Sequence, residues 1–140
     1  MEKNIGKEII VLSNRIKRRM RSAAESLGIT DTQGRVLKYI WEESKSREVF
    51  QKDLEDEFDI RRSSVTQVIQ LLERDGLIVR ESVQRDARLK KLVLTEKAIR
   101  IQEVMNEKIR ELESQMQKDI SEEEREILLN LLRKIKRNIV

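Results

Sequence analysis

The amino-acid sequence predicts a mainly α-helical protein with one small β-hairpin. Apolar residues recur every three or four positions along most of the chain, which is the spacing of helices with one buried face. The pattern changes only at Leu77–Val83 and Leu92–Leu94, where short aliphatic runs predict two strands. With 140 residues, no proline and 40% charged residues, the chain fits a single domain, residues 1–140, with charged solvent faces.

The first two helices are predicted from their apolar stripes and their ends. Residues 5–27 form the first helix, which stops near Gly28. Thr30 and Gln33 then have the spacing of a capping box, in which each side chain accepts a hydrogen bond from the other residue's backbone N–H. The helix that they open is predicted to bury four apolar side chains, those of Val36, Leu37, Ile40 and Trp41.

Two further helices complete a helix-turn-helix arrangement. Val49–Phe58 is a short amphipathic segment, and Asp59–Arg61 turns the chain. Arg62–Asp75 forms the next helix, and Gly76 is suited to the left-handed conformation that ends a helix. Three helices of these lengths indicate a helix-turn-helix whose last helix is presented outward.

The predicted hairpin follows directly and makes this unit a winged helix-turn-helix, residues 30–95. The polar stretch Gln84–Lys91 contains no Asn-Gly or Asp-Gly pair, so we expect a long, mobile loop between the strands. Thr95 is placed to cap the next long helix, and a second capping box at Ser121 and Glu124 opens the last one.

The excess positive charge lies in one short stretch. The chain carries 30 basic and 26 acidic residues, a net charge of +4. Residues 61–91 alone hold eight basic and four acidic groups, so the remainder of the chain has no net charge. This concentration is what a phosphate-binding surface requires.

The outward face of the helix Arg62–Asp75 is polar but has no carboxylate. Short hydroxyls and amides suit base edges, because glutamine can pair with adenine and threonine can contact a thymine methyl group. An ordinary solvated helix face is the alternative, although other helices of this chain mix Glu and Lys freely. The predicted DNA-contacting residues of this helix are Arg62, Ser63, Ser64, Thr66, Gln67, Gln70 and Arg74.

The hairpin tip supplies a second set of candidate DNA contacts. Asp86 and Arg88 are two residues apart, so the carboxylate can hold the guanidinium in one direction, as a minor-groove contact requires. Lys90 and Lys91 are placed to reach flanking phosphates, and Arg85 adds a further cation. The alternative is an exposed surface salt bridge that contributes at most about 1 kcal/mol.

Apolar stripes near both ends of the chain predict a homodimer. We assign dimerisation to helical regions 1–28 and 96–140, because the winged unit between them already supplies a core. Packing within one chain is the alternative use of such stripes. The predicted dimerisation residues are Ile5, Ile9, Leu12, Ile16, Ile127, Leu131 and Ile135.

Several of these segments resemble the multiple antibiotic resistance regulator (MarR) family of bacterial winged-helix regulators. They are Thr30–Gln33, Arg62–Thr66, Leu72–Arg80, Asp86–Arg88 and Leu92–Lys97, in this order and spacing. The resemblance implies an obligate homodimer on duplex DNA, with interlocking terminal helices and recognition helices in successive major grooves. It implies that Ser64, Thr66, Gln67 and Gln70 face bases or phosphates, and that Asp86 steadies Arg88 as the wing arginine. Gly34 and Ala98 depart from the family pattern.

Composition excludes several other classes of function. The chain has no histidine and no cysteine, so we expect no enzyme, metal site, redox switch or cofactor. Without a membrane span or signal peptide, we expect a cytoplasmic protein. The prediction is therefore a sequence-specific transcriptional regulator, acting as a repressor. A winged helix that binds protein and a non-specific architectural DNA binder are the alternatives, and a small-molecule effector is left open.

Overall fold

The computed structural model describes residues 4–139, which form six helices and a two-stranded antiparallel sheet. The elements are α1 (Ile5–Ser26), α2 (Asp31–Glu43), α3 (Gln51–Phe58), α4 (Arg62–Arg74), β1 (Ile78–Val83), β2 (Asp86–Leu94), α5 (Glu96–Met116) and α6 (Glu122–Asn138). This order confirms the predicted fold class. Residues 1–3 and 140, which belong to the predicted dimerisation region, lie outside the described residues. The chain divides inside α5 into two compact units, the first ending at Asn106 and the second beginning at Glu107.

Both predicted capping boxes are present. The Thr30 hydroxyl accepts from the Gln33 backbone N–H over 3.1 Å, and the Gln33 side chain accepts from the Thr30 N–H over 3.0 Å. Ser121 and Glu124 make the equivalent pair of bonds at the start of α6. Because the Ser121 N–H and hydroxyl bond to its carboxylate, the pKa of Glu124 is lowered.

The core of the first unit is built mainly from one face of each helix of the helix-turn-helix. Its buried side chains include Leu37 and Ile40 of α2, Leu54 of α3, Val65, Ile69 and Leu72 of α4, and Ile78 and Leu92 of the hairpin. Ala24 of α1 also lies in this core. The prediction for Trp41 was wrong, because its ring is only half-buried and the Lys45 ammonium lies 3.4 Å from the ring centre. An amphipathic ring covered by a cation need not enter the core.

The predicted long hairpin loop was also wrong. Val83 pairs directly with Asp86, so only Gln84 and Arg85 form the turn. Ser82 pairs with Lys90, which leaves residues 87–89 as a bulge opposite one step of β1. The hydrogen bonds between β1 and β2 are made by backbone groups. For this reason β2 includes the charged residues from Asp86 to Lys91, although their side chains lack the apolar pattern of a strand.

The terminal helices carry exposed apolar side chains. In α1, Leu12 is 52% exposed, and Ile5 and Ile9 are exposed as well. In α6, no residue is buried, and Ile127 and Leu131 are 60% and 52% exposed. Ile16 and Ile135 are half-buried. None of the described helices is both long and apolar enough to cross a membrane.

Two neighbouring leucines of α4 provide a test of this core. Leu72 is fully buried, whereas Leu71 is 42% exposed. We expect Leu72→Ala to lower the free energy of unfolding by about 2–5 kcal/mol, because it removes buried methyl groups and leaves a cavity. The matched variant Leu71→Ala should change it by less than about 1 kcal/mol. Urea unfolding at one fixed protein concentration measures both, and equal effects would contradict the described packing.

Candidate nucleic-acid interface

Burial of one face of α4 determines which of its side chains point into solvent. Val65, Ile69 and Leu72 are buried, so residues on the opposite side of the helix are exposed. Those exposed residues are Ser63, Ser64, Gln67, Gln70, Leu71 and Arg74. Within residues 4–139 the amides of Gln67 and Gln70 have no hydrogen-bond partner, so all their donors and acceptors are available to a ligand.

Thr66 differs from its neighbours on this face. It is half-buried, and its hydroxyl donates to the Arg62 carbonyl oxygen over 2.9 Å. The same hydroxyl accepts a hydrogen bond of 2.8 Å from the side-chain amide of Gln51 at the start of α3. Sequence reasoning missed Gln51, because nothing local signals a contact between two helices.

The end of α4 is held by a second glutamine. The Gln33 amide donates to the Asp75 carboxylate over 3.1 Å, and Arg74 Nε lies 3.1 Å from the same carboxylate. Lys97 donates to the Asp75 backbone carbonyl over 2.9 Å. These donors favour the ionised form, so the pKa of Asp75 is lowered, with the Gln33 bond as the largest cause.

The hairpin presents Arg88 on the bulge described above. The Asp86 carboxylate accepts from the Arg88 backbone N–H over 2.9 Å and lies 3.4 Å from its Nε. The predicted pairing of these two side chains is therefore present. Arg88 is 92% exposed at its side chain, so Asp86 orients it without covering it.

The other predicted cations of the hairpin are engaged within the protein. Arg85 pairs with Glu48 at 3.0 Å, and its guanidinium lies 5.5 Å from the centre of the Phe50 ring. Lys91 Nζ lies 3.7 Å from the Glu81 carboxylate, and the Lys90 ammonium donates to the Ser82 hydroxyl. The structure therefore directs Arg85 toward the α2–α3 connection and leaves Arg88 as the outward arginine of the tip.

A cleft of about 470 Å³ lies between the hairpin and the first turns of α3 and α4. Its charged lining consists of Lys52, Arg62, Arg80, Arg88 and Lys90, with Glu55 as the opposing carboxylate. Arg80, which sequence reasoning counted only as part of the basic stretch, is held by Glu73 at 2.7 Å. Among residues 4–139 no group of three or more acidic side chains is arranged to hold a metal ion. The cleft is suited to an anion.

Known proteins share both the sequence pattern and the fold. A sequence model of the MarR family matches residues 27–89. The transcription regulator MarR from Oenococcus oeni PSU-1 is 30% identical to this chain over 96% of it and 99% of that protein, with a TM-score of 0.74. The chain belongs to the MarR family. The matched residues include the helix-turn-helix and the hairpin tip with Arg88.

Solved structures of a second protein, S. aureus MepR, extend the comparison. A single-residue mutant of S. aureus MepR, bound to an oligodeoxyribonucleotide, is 26% identical over 99% of this chain and all of that one, with a TM-score of 0.70. The S. aureus MepR–DNA complex is 24% identical over 98% of this chain and 97% of that one, with a TM-score of 0.83. At 24% identity, the similarity to the MepR–DNA complex is a similarity of fold alone.

The Gln33–Asp75 bond predicts a pH-dependent contribution to stability. Because the Asp75 pKa is lower in the folded than in the unfolded state, its contribution is present at neutral pH and is lost as pH falls through the folded-state pKa. We expect Asp75→Asn to be less stable than the natural chain at neutral pH. The difference should shrink below about pH 4, where the natural carboxyl becomes neutral in the unfolded chain and then in the folded one.

Urea unfolding at several pH values measures this difference. Gln33→Ala, which removes the largest cause of the shift, should weaken the same pH dependence. A difference between Asp75→Asn and the natural chain that stays constant down to pH 3, taken as about one unit below the ordinary pKa of aspartate, would contradict the assignment.

Proposed function

We propose that this protein is a sequence-specific regulator that binds double-stranded DNA as a homodimer and represses transcription. The observation that carries the proposal is the exposed, carboxylate-free face of α4 beside the cationic cleft of the hairpin. A helix of this kind in the major groove can read base edges, while the hairpin follows the backbone into the next groove.

Base reading is assigned to the two free amides of α4. Gln67 and Gln70 are exposed one helical turn apart, and each amide can both donate to and accept from adenine. Ser63 and Ser64, in the first turn of α4, are placed for a phosphate oxygen. Neutral side chains suit this role because they bind a base only where donors and acceptors match.

The hairpin is assigned to the minor groove and the intervening backbone. Arg88 is the exposed guanidinium of the tip, and Asp86 fixes its direction. Narrow A·T tracts have the most negative minor-groove potential, which attracts an arginine placed in this way. The cleft between α4 and the hairpin is lined by Arg62 and Lys90, which suits the phosphate chain that separates the two grooves.

A related protein supports the choice of DNA as the partner. The S. aureus MepR mutant that is 26% identical was solved with a bound oligodeoxyribonucleotide. Its fold aligns over 99% of this chain, so α4 and the hairpin both fall within the aligned part. A regulator of chromosomal DNA acts in the bacterial cytoplasm, where we place this protein.

Exposed apolar residues on the terminal helices support a dimer. Leu12 in α1 and Ile127 and Leu131 in α6 expose half or more of their surface. A second copy of the chain would remove these side chains from water, at about 25 cal/mol per Å² buried. Two copies related by a twofold axis would place two recognition helices about one DNA turn apart. Repression then follows if the dimer covers a promoter, and an effector that alters the helix spacing would release it.

Selection from a random duplex library at near-physiological salt tests the proposal without a known operator. We expect an enriched inverted repeat with half-site centres roughly 10 bp apart. Gln67→Ala and Gln70→Ala should each relax one base preference, costing on the order of 1–3 kcal/mol where the contact is bidentate. The control Ser46→Ala, in the α2–α3 connection and in neither proposed interface, should return the natural motif.

Two results of the selection would contradict sequence-specific binding. Retention of DNA without an enriched sequence would instead indicate an architectural binder whose contacts are limited to the backbone. Failure to retain DNA would favour a winged helix that binds protein. Enrichment of a single half-site without its inverted copy would contradict the dimer.

Removal of the outward arginine tests the role of the hairpin. We expect Arg88→Ala to weaken binding to the selected site and to reduce the slope of log affinity against log salt by about one for each Arg88 that contacts DNA. Arg35→Ala is the matched control, because it also removes an exposed, ion-paired arginine, here on α2 and in neither proposed interface. Fluorescence anisotropy across a salt series measures both, and an unchanged affinity and slope in Arg88→Ala would overturn the hairpin assignment.

A further inference from the structure

The contact between Gln51 and Thr66 constrains how the recognition helix can read DNA. Gln51 is the first residue of α3, and its side-chain amide donates to the Thr66 hydroxyl over 2.8 Å. The same nitrogen lies 3.4 Å from the Arg62 carbonyl oxygen, which also accepts the Thr66 hydroxyl proton over 2.9 Å. The three residues form a closed hydrogen-bonded group on the side of α4 that faces α3.

A threonine hydroxyl has one proton and two lone pairs to offer. In Thr66 the proton is donated to Arg62 and one lone pair is occupied by Gln51. The hydroxyl therefore has no proton left for a base acceptor such as a purine N7 or the thymine O4. The methyl group is the other substituent on the Thr66 Cβ. Because Thr66 is only half-buried, part of this side chain remains accessible to a ligand.

We propose that Gln51 is a positioning residue that turns the Thr66 hydroxyl inward, so that Thr66 recognises thymine through contact between two methyl groups. The inference rests on the proposed binding of α4 in the major groove. Thymine is the only standard DNA base that presents a methyl group there. Gln51 itself contacts no base in this arrangement, and its effect on specificity passes entirely through Thr66.

A thymine-to-deoxyuridine scan of the selected operator tests the inference with the natural protein. Each substitution removes one methyl group and leaves every Watson–Crick and major-groove hydrogen-bonding atom in place. We expect one thymine in each half-site to lose affinity by about fourfold when replaced, the value for one buried methyl or methylene group. The other thymines should show smaller changes.

Two substitutions of Thr66 separate the methyl group from the hydroxyl. Thr66→Ser keeps the hydroxyl and removes the methyl group, so the thymine-to-uracil ratio at that position should fall to about one, since no methyl contact remains to be lost. Thr66→Val keeps a methyl group and removes the hydroxyl, so it should retain a ratio well above one. The reverse pattern, with discrimination kept by serine and lost by valine, would overturn the inference.

Gln51→Ala tests the positioning role. Without the amide, only the bond to the Arg62 carbonyl oxygen still holds the Thr66 hydroxyl, so the side chain is less restricted about χ1. We therefore expect the thymine-to-uracil ratio to fall at the same position while the ratios elsewhere are unchanged. A merely structural role would instead lower affinity for both operators equally. Ser46→Ala, which removes a side-chain hydrogen bond to the Glu43 carbonyl oxygen in the α2–α3 connection, is the matched control and should leave the ratio as in the natural chain.

The outcomes distinguish this inference from the proposed function. If selection yields no enriched sequence, sequence-specific binding fails and the inference fails with it. If a motif is enriched but no deoxyuridine substitution alters affinity in the natural protein, the methyl contact alone is refuted. Because that measurement uses the unmodified chain, a variant that fails to fold does not prevent it.

Discussion

The packing of α4 against the rest of the winged unit is the constraint on which the interface depends. Val65, Ile69 and Leu72 are buried with spacings of four and three residues, so the helix cannot rotate about its axis without exposing them. Gln51 bonds to the beginning of the helix and Gln33 to its end, which opposes sliding along the axis. The outward side chains therefore project from a backbone that is fixed before any partner binds, so binding incurs no cost for positioning the helix.

The hairpin is held on the rest of the winged unit by backbone hydrogen bonds and by the ion pair between Arg80 of β1 and Glu73 of α4. The Leu92 N–H donates to the Val49 carbonyl oxygen over 2.7 Å, and the Thr95 N–H donates to that of Leu77 over 3.1 Å. The bulge at residues 87–89 then directs Arg88 outward, and Asp86 fixes both its backbone N–H and its guanidinium. A two-residue turn leaves little freedom at the tip, so the distance between Arg88 and the face of α4 is set largely by the fold.

The features that could be predicted from the sequence are those whose cause is local. Both capping boxes, the left-handed Gly76 and the two faces of α4 follow from residues within one or two turns of each other. The Gln51–Thr66 and Gln33–Asp75 bonds join separate helices, so no sequence pattern marks them. The length of β2 was missed because its charged residues pair through their backbones. The pairing of Arg85 with Glu48 could not be predicted, because only the fold brings these two residues together.

The number of basic residues in the sequence overstates the charge that is free to bind phosphate. Among the described residues, five of the eight basic side chains between Arg61 and Lys91 pair with a carboxylate. An exposed pair of this kind contributes at most about 1 kcal/mol, so phosphate can replace the carboxylate, but the gain is reduced by the pair that is broken. Arg61 and Arg62 have no carboxylate partner in the described part of the chain, and Lys90 bonds only to a hydroxyl. Arg61, Arg62 and Lys90 should therefore supply more of the affinity for the DNA phosphates than their number suggests. The paired Arg88 contributes mainly through the fixed direction of its side chain.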